Sequence, residues 1–481
     1  MLLTLLVYLP VAFAIARAAD VTVILDKATV IGTTNGSVTS YFGIPYAEPP
    51  VNDLRFRLPV PITAYQGTIN ATLPATQCIQ LQPLPRSDLP AEILQDLTAY
   101  LASVPFSSDA PQDEDSFSFL GGKEVKAAGV GNLALHDQRV ALRWIKKHIS
   151  VFGGDPEKVT INGPSAGAIS VGLQMVTNGG DNEGLFRGAI MHAGSPLPTG
   201  DIETLQPFYD TVVEHAGCAA TEDTLDCLRK VPADTLLTAA AAVPNLFDYP
   251  GLAEAWAPRA DGVFLEAPPQ HLVLAGHVSN VPFITGDALD EGTIFATGSF
   301  NVTTEADFRD FVAQHFFPTT PTDVLAPLFD LYTNDPAEGS PFETGDANEL
   351  APEFKRMAAL QGDIIFQAPR RFFLDQRSPQ QPAWTYTSKR GAVKGLGCPH
   401  GSDAILALEG HDLADYVIQF TATLDPNGGA SNRTIPWPRY DPLARSMLTL
   451  LDGDTDLEIT ADTARLEAMA GLTGLCLAFP F

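Results

Sequence analysis

Ser165 lies between two glycines in the segment Gly163-Pro164-Ser165-Ala166-Gly167. A serine hydroxyl attacks an acyl group only when a base removes its proton and an acid orients that base. A sharp turn between a strand and a helix exposes such a hydroxyl, and it requires small residues two positions away on each side. The pattern therefore favours Ser165 as a nucleophile over a serine in an ordinary turn.

Three acidic residues form the first group that could orient a base for Ser165. Asp287, Asp290 and Glu291 follow the apolar run 281–285 and end in a glycine. When a nucleophilic serine stands on a strand-to-helix turn, the acid follows it in the chain and comes after a later strand. The residue types alone leave Asp287 and Asp290 as rivals, because solvated loops also collect carboxylates.

His400 is the best placed of the nine histidines to act as the base. It lies in the glycine-rich segment LGCPHGSD, 396–403, after a short apolar run, so its ring could reach the edge of a sheet. His192 also follows an apolar run, but it precedes the acidic group in the chain. His315 and His411 lie in polar, helix-like surroundings, and we expect both at the surface.

A sheet with flanking helices is needed to bring these residues together. The apolar alternation of 159–161 predicts a strand before Ser165, and the small residues of 166–176 predict a helix after it. Further apolar runs alternate with helical stretches along the chain. This alternation predicts an α/β fold with a mostly parallel sheet covered by helices. The runs are 189–193, 281–285 and 383–386.

The composition is that of a globular protein with a large core. The chain has 481 residues, of which 45% are hydrophobic and 18% charged. Its formal net charge of −28 argues against nucleic acids and anionic membranes as partners, because both would repel it. The cysteines and histidines show no metal-ligand spacing, so we expect neither a metal nor a cofactor.

The first residues, MLLTLLVYLPVAFAIARAAD, predict secretion. An apolar run followed by Ala16-Arg17-Ala18 is typical of a signal peptide cleaved after Ala18, although no positive charge precedes the run. A signal anchor is the alternative, but the run is short for a bilayer. In a secreted chain, Cys218 and Cys227 lie close enough in sequence to close a small disulfide loop. Four glycosylation sequons agree with this route: Asn35, Asn70, Asn301 and Asn432.

Taken together, these segments resemble the type B carboxylesterase and lipase family, which includes cholinesterases and secreted fungal lipases. The resemblance covers most of the chain and implies an α/β-hydrolase fold, with residues 19–481 as one domain after a signal peptide at 1–18. The segments that carry it are YFGIPYAEPPVNDLRF (41–56), GNLALHDQRVALRWI (131–145), FGGDPEKVTINGPSAG (152–167), GLFRGAIMHAGSP (184–196), ITGDALDEGTIF (284–295), GLGCPHGSD (395–403), and TLDPN and WPRYDP within 423–442.

The resemblance implies a serine carboxylesterase or lipase. Ser165, Glu291 and His400 match the catalytic triad, with Glu291 chosen because the family uses the glutamate of its Asp-Glu-Gly. The backbone N–H of Ala166 would be one donor of the oxyanion hole, and Ser195 matches a second serine near the triad. Cys218 and Cys227 match a family disulfide. The implied partner is a small-molecule ester or a lipid, hydrolysed through an acyl-enzyme.

One departure from the family lies beside the nucleophile. The family usually has glutamate before the serine, and this chain has Pro164. Because a carboxylate beside the site is lost, we expect neutral acyl esters to be favoured over cationic choline esters.

A second departure is larger. The segment 111–133 begins like the family's Ser-Glu-Asp-Cys strand and ends like its Gly-Phe-Leu segment. The strands between them, one ending in His-Gly-Gly-Gly and one in Asn-Tyr-Arg, are absent, so we expect central strands to be missing from the sheet. The junction falls near 116–119, and Cys78 loses its usual partner there. That glycine loop supplies oxyanion donors, each worth about 10²–10³ in turnover, and Gly121-Gly122 is a poor substitute.

Two interpretations therefore remain open. The intact triad favours an active esterase, and the absent glycine loop favours a catalytically silent protein, either of the adhesion type or a truncated product.

A second choice concerns 79–115, where the family carries a flap in some lipases. An apolar stripe there predicts a helix, which we expect to pack on the body rather than open as a lid at a lipid surface. The stripe is Ile93, Leu97, Tyr100, Leu101 and Val104.

Overall fold

Two sheets organise the computed structural model, which describes residues 20–74, 85–103, 118–249, 251–253, 255–431, 433–453 and 456–481. Their strands are β1 Asp20–Leu25, β2 Lys27–Asn35, β3 Val38–Ser40, β4 Gln66–Asn70, β5 Thr160–Pro164, β6 Gly188–His192, β7 Phe283–Ala288, β8 Ala383–Ser388, β9 Ser446–Leu450 and β10 Leu457–Ala461.

The larger sheet is mostly parallel, as the sequence predicted. Its strand order is β10-β9-β8-β7-β6-β5, with parallel neighbours from β5 to β9 and an antiparallel pair between β9 and β10. The three apolar runs predicted as strands correspond to β6, β7 and β8. The smaller sheet joins β1, β2 and β3 antiparallel and adds β4 parallel to β2.

Helices connect these strands and cover the larger sheet. They are α1 Ala91–Ser103, α2 Lys123–Ala128, α3 Leu133–His148, α4 Ala166–Val176, α5 Gln206–His215, α6 Thr224–Lys230, α7 Ala233–Ala240, α8 Pro269–Leu274, α9 Thr293–Ala296, α10 Glu305–Phe311, α11 Thr322–Leu331, α12 Phe354–Gly362, α13 Ala368–Arg377, α14 Ser402–Leu408, α15 Asp412–Thr423 and α16 Leu466–Ala478. The helix predicted over 166–176 is α4, with the same ends. Among the described residues, no helix is both long and apolar enough to span a bilayer.

The central strands are buried on both faces of the larger sheet. Every residue of β6, β7 and β8 is buried. Met191 and Phe283 belong to the largest apolar cluster, whereas Ile190, Ile284 and Trp384 pack in a separate cluster. Since successive side chains of a strand point to opposite faces, this division shows an apolar layer on each side.

β5, the strand that precedes Ser165, lies at the edge of the sheet. Within the described part of the chain, β6 is its one neighbour, and Asn162 is exposed. The N–H of Ser165 donates to the His192 carbonyl on β6 at 2.8 Å, so by alternation the backbone nitrogen of Pro164 faces the other way. A proline has no N–H to leave unpaired there, which suits an edge. Loss of strands beside β5 would produce this position.

The apolar stripe of α1 packs on the body of the protein. Leu97 is fully buried and Tyr100 is 6% exposed, and both belong to the largest apolar cluster. Leu94 and Leu101 pack partly against the same cluster. Over the described residues of 79–115, the helix therefore makes the packing contacts that we expected.

The predicted disulfide joins Cys218 to Cys227. Several other predicted features lie outside the described residues: the signal peptide, Cys78, the stripe residue Val104, the sequon Asn432 and residues 116 and 117 of the junction.

We predict that Leu97→Ala lowers the free energy of unfolding by about 2–5 kcal/mol, because it leaves a cavity in the core. Leu443→Ala is the matched control, since Leu443 is 95% exposed and its truncation should change stability by no more than about 0.5 kcal/mol. Urea unfolding of both variants checks the difference. Equal stability of the two variants would mean that α1 is only loosely attached.

Candidate active site

Ser165 occupies a strained turn between β5 and α4. Its φ and ψ are 55° and −125°, a conformation that L-residues rarely adopt. A Cβ at Gly163 would lie 2.5 Å from the carbonyl carbon and oxygen of Gly167, so no side chain fits there. A Cβ at Gly167 would approach only Cδ of Pro164, at 3.4 Å. The strict requirement for glycine therefore holds at position 163 and not at 167.

The His400 imidazole joins Ser165 to Glu291. Its Nε2 lies 2.7 Å from Ser165 Oγ, and its Nδ1 makes a short hydrogen bond to Glu291 Oε2. His400 and Glu291 are each 1% exposed, whereas Ser165 is half-buried. The structure thus brings together all three residues that the family resemblance selected.

The two rival acids have other partners. Asp287 accepts from Arg370 Nε at 2.7 Å. Asp290 accepts from Ser340 Oγ at 2.8 Å and from the N–H of Cys398 at 2.9 Å, two residues before His400. Asp290 therefore holds the histidine loop, residues 389–401 between β8 and α14, without contacting the imidazole ring.

The charge of the Glu291 carboxylate depends on the hydrogen-bond donors that face it. Burial, and then the neighbouring Asp287 carboxylate, raise the pKa of Glu291 well above its ordinary value, and the N–H of Ala288, 2.5 Å from Oε1, opposes the rise. A buried carboxylate keeps its charge only where donors face it. Here these donors are the Ala288 N–H and the imidazole.

Two aromatic rings that the sequence analysis missed pack against His400. The ring centroids of Phe295 and Phe366 lie 5.2 Å and 4.6 Å from that of the imidazole. Phe366 belongs to a π-helical turn, Asp363–Gln367, between α12 and α13. Such turns occur often at functional sites, but no local signal in the sequence marks this one.

A buried polar chain runs beneath the site from His192 to Asp403. His192 Nδ1 lies 2.8 Å from the Tyr386 hydroxyl, which donates to Asp403 Oδ2 at 2.6 Å. Burial lowers the pKa of His192 to about 4. Burial, and then the Glu291 charge, raise the pKa of Asp403 to about 7. The His192 carbonyl accepts from the N–H of Ser165, and Asp403 follows His400 by three residues. The hydrogen-bonded side chains of His192, Tyr386 and Asp403 therefore connect the segment that holds Ser165 with the segment that carries His400.

The sequence model of the carboxylesterase family matches residues 19–117 and 114–468. Secreted lipase 1 of Botryotinia fuckeliana is 38% identical, and the alignment uses 88% of each chain. This chain belongs to the carboxylesterase family. Lipase 4 of Diutina rugosa is 33% identical over 92% of this chain and 94% of that protein. Among solved structures, EstA of Aspergillus niger has the same fold, with a TM-score of 0.76 and 23% identity over 96% of this chain and 99% of that one.

Two features of these alignments concern the junction near 116–119, where the family's strands are absent from this sequence. The two segments that match the family end and begin within 114–117. The alignment with secreted lipase 1 extends over 504 positions, more than the 481 residues of this chain. It therefore opens gaps in this chain opposite residues that the relative has.

Gly121-Gly122 lies among structural contacts. The N–H of Gly122 donates to the Ile202 carbonyl at 3.0 Å, and a Cβ at Gly121 would collide with Leu205. The Gly122 N–H is thus already used, which argues against this pair as a source of oxyanion donors.

The remaining predicted residues fall into distinct surroundings. Ser195 is buried, with its Oγ 3.4 Å from Thr285 Oγ1. His411 and His315 are both partly exposed, and the ring of His315 packs against Tyr249 and Phe311. The sequon residues Asn35, Asn70 and Asn301 are exposed.

We predict that Gly163→Ala lowers esterase turnover by about 10²-fold or more, because the added methyl must displace the turn that holds Ser165. Gly167→Ala is the matched control and should keep most of the activity. Hydrolysis of a soluble activated ester by the two folded variants checks this difference. Equal activity would show that the turn accommodates a side chain at position 163.

A second prediction concerns pH and Asp403. Between the ordinary pKa of an aspartate and about pH 7, the folded chain keeps a proton on Asp403 that the unfolded chain releases. The contribution of this residue to stability therefore falls as pH rises through that window. Asp403→Asn should thus gain stability relative to the unchanged chain between pH 4.5 and pH 7.5, as measured by urea unfolding. The exposed Asp234→Asn is the control, and a pH-independent difference for Asp403→Asn would contradict the assignment.

Proposed function

We propose that this carboxylesterase hydrolyses carboxylic esters with Ser165 as nucleophile, His400 as base and Glu291 as the acid that orients it. The observation that carries the proposal is the continuous hydrogen-bonded path from Ser165 Oγ through the imidazole to Glu291. Serine, glutamate and histidine also follow one another along the chain in the order expected for this fold.

The proposed reaction begins with attack of Ser165 Oγ on the ester carbonyl carbon while its proton passes to His400 Nε2. Glu291, bonded to Nδ1, stabilises the imidazolium that forms. As the bond to the alcohol oxygen breaks, His400 returns the proton to the departing alcohol. A water molecule then attacks the acyl-enzyme, gives its proton to His400 and releases the carboxylic acid, and Ser165 recovers its proton.

The negative charge on the carbonyl oxygen needs donors close to Ser165. We infer that the N–H of Ala166, at the first position of α4, supplies one. We also infer that the strands ending in the family's glycine loop are lost from this chain. The edge position of β5, the split family match at 114–117 and the gapped alignment support that loss. We therefore expect slower turnover than in a relative with the whole loop.

The proposed substrates are neutral acyl esters or lipids. Several relatives are named lipases, and three of these names include the word secreted. Pro164 places no charge beside the serine, which suits a neutral substrate. We further propose that residues 1–18 direct secretion, that residues 19–481 form one catalytic domain, and that the exposed Asn35, Asn70 and Asn301, together with Asn432, accept glycans.

Ser165→Ala tests the proposal, because it removes the attacking oxygen and leaves the fold in place. Turnover of a soluble activated ester should fall on the order of 10⁴-fold or more. Ser195→Ala is the matched control, since Ser195 lies close to the site but outside the hydrogen-bonded path, and it should keep most of its turnover. A Ser165→Ala protein that hydrolyses the ester at an undiminished rate rules out this mechanism.

A further inference from the structure

We propose that Tyr100 is a positioning residue for His400: its hydroxyl, on α1, holds the backbone of the histidine loop and so fixes the imidazole between Ser165 and Glu291. The inference rests on the proposed function, and it assigns to α1 a role in catalysis that packing alone would not give.

The geometry is direct. The Tyr100 hydroxyl donates to the carbonyl oxygen of His400 at 2.7 Å and lies 3.3 Å from that of Pro399. Tyr100 is 299 and 300 residues away from these acceptors in the sequence, so local chain geometry does not impose the contact. The bond acts on the backbone of the residue whose side chain accepts the serine proton.

The histidine loop needs support from outside. Gly397 and Gly401 lie three residues before and one residue after His400, with φ values of 67° and 92°, in the left-handed region that glycine enters easily. Pro399 fixes its own φ, but the two glycines leave the loop backbone more conformations than other residues would. Each contact that restricts the loop favours one orientation of the imidazole. Asp290 supports the loop at Cys398, and Tyr100 supports it at His400 itself.

α1 contacts the same loop at two points. Near its first turn, Glu92 pairs with Lys394, six residues before His400. Near its end, Tyr100 reaches the His400 carbonyl. Between them Leu97 is fully buried in the core. The helix therefore lies along the histidine loop and is anchored in the body, and a movement of α1 away from the body would break the bond to His400.

The chemistry of the hydroxyl suits a donor. Tyr100 is buried close to Asp403 and Glu291, and burial, followed by these charges, raises the pKa of its phenol above the ordinary value. The hydroxyl therefore stays protonated at any pH at which the enzyme works, and it can donate to a carbonyl throughout.

Tyr100→Phe tests the inference, because it removes the donor and keeps the ring that packs in the core. We expect kcat for a soluble activated ester to fall about 3- to 10-fold, the effect of losing one neutral hydrogen bond, with KM unchanged. We also expect the far-downfield proton resonance of the His400–Glu291 hydrogen bond to shift or to exchange faster with water, which a loss of packing elsewhere would not cause.

Tyr416→Phe is the matched control. Tyr416 is buried as Tyr100 is, and its hydroxyl donates to the carbonyl of Ile435 at 2.7 Å and accepts from the N–H of Ile435 at 2.8 Å. It packs in the cluster on the other face of the sheet. Its kcat and its downfield resonance should match those of the unchanged chain, even if both variants lose stability.

The outcomes separate the two proposals. If Tyr100→Phe equals Tyr416→Phe in kcat and in the downfield resonance, while Ser165→Ala is inactive, the role of Tyr100 is refuted and the proposed function stands. If the unchanged chain hydrolyses no ester, the proposed function fails. In that case the downfield resonance alone tests the role of Tyr100. A change of this resonance in Tyr100→Phe supports its role as a positioning residue, and an unchanged resonance refutes it.

Discussion

The alignment of the carboxyl ends of parallel strands is the constraint on which the site depends. Ser165 follows β5, Glu291 follows β7, and His400 lies in the loop after β8. Strands that run in the same direction deliver their following loops to one edge of the sheet. Ser165 and His400, 235 residues apart in the chain, can therefore meet at 2.7 Å. Each support for the imidazole acts at this edge.

The same constraint makes the place of β5 in the larger sheet important. In the described residues β5 pairs with β6 alone, and the nucleophile stands at the end of this edge strand. The turn that carries Ser165 is held from the β6 side, through the His192 carbonyl, and by the close approach of Gly163 to Gly167. These supports do not need a strand on the open side. The position of the serine and the stabilisation of the oxyanion are thus separable features of the site, and the proposed loss affects the second.

The sequence predicted much of this arrangement because its signals are local. The apolar alternation of 159–161 and the three later apolar runs predicted the strands around the site, and the small residues after Ser165 predicted α4 with its observed ends. The choice among Asp287, Asp290 and Glu291 was not local, because it depends on distant partners such as Arg370 and His400. It took the family resemblance to select Glu291. The contacts of Phe366 and Tyr100 with His400 were missed for the same reason. The packing of the His315 ring against Tyr249 was missed as well, since Tyr249 comes from another segment.

Covalent labelling with a fluorophosphonate, followed by mass spectrometry of the peptides, is the most direct test of whether His400 activates Ser165 as a nucleophile. Such a probe phosphonylates a serine whose hydroxyl is activated by an adjacent imidazole. If the proposed triad is correct, a single residue, Ser165, is modified, and the label is lost in a protein whose His400 is replaced by alanine. A label at another serine, or labelling of Ser165 that persists without His400, would contradict it.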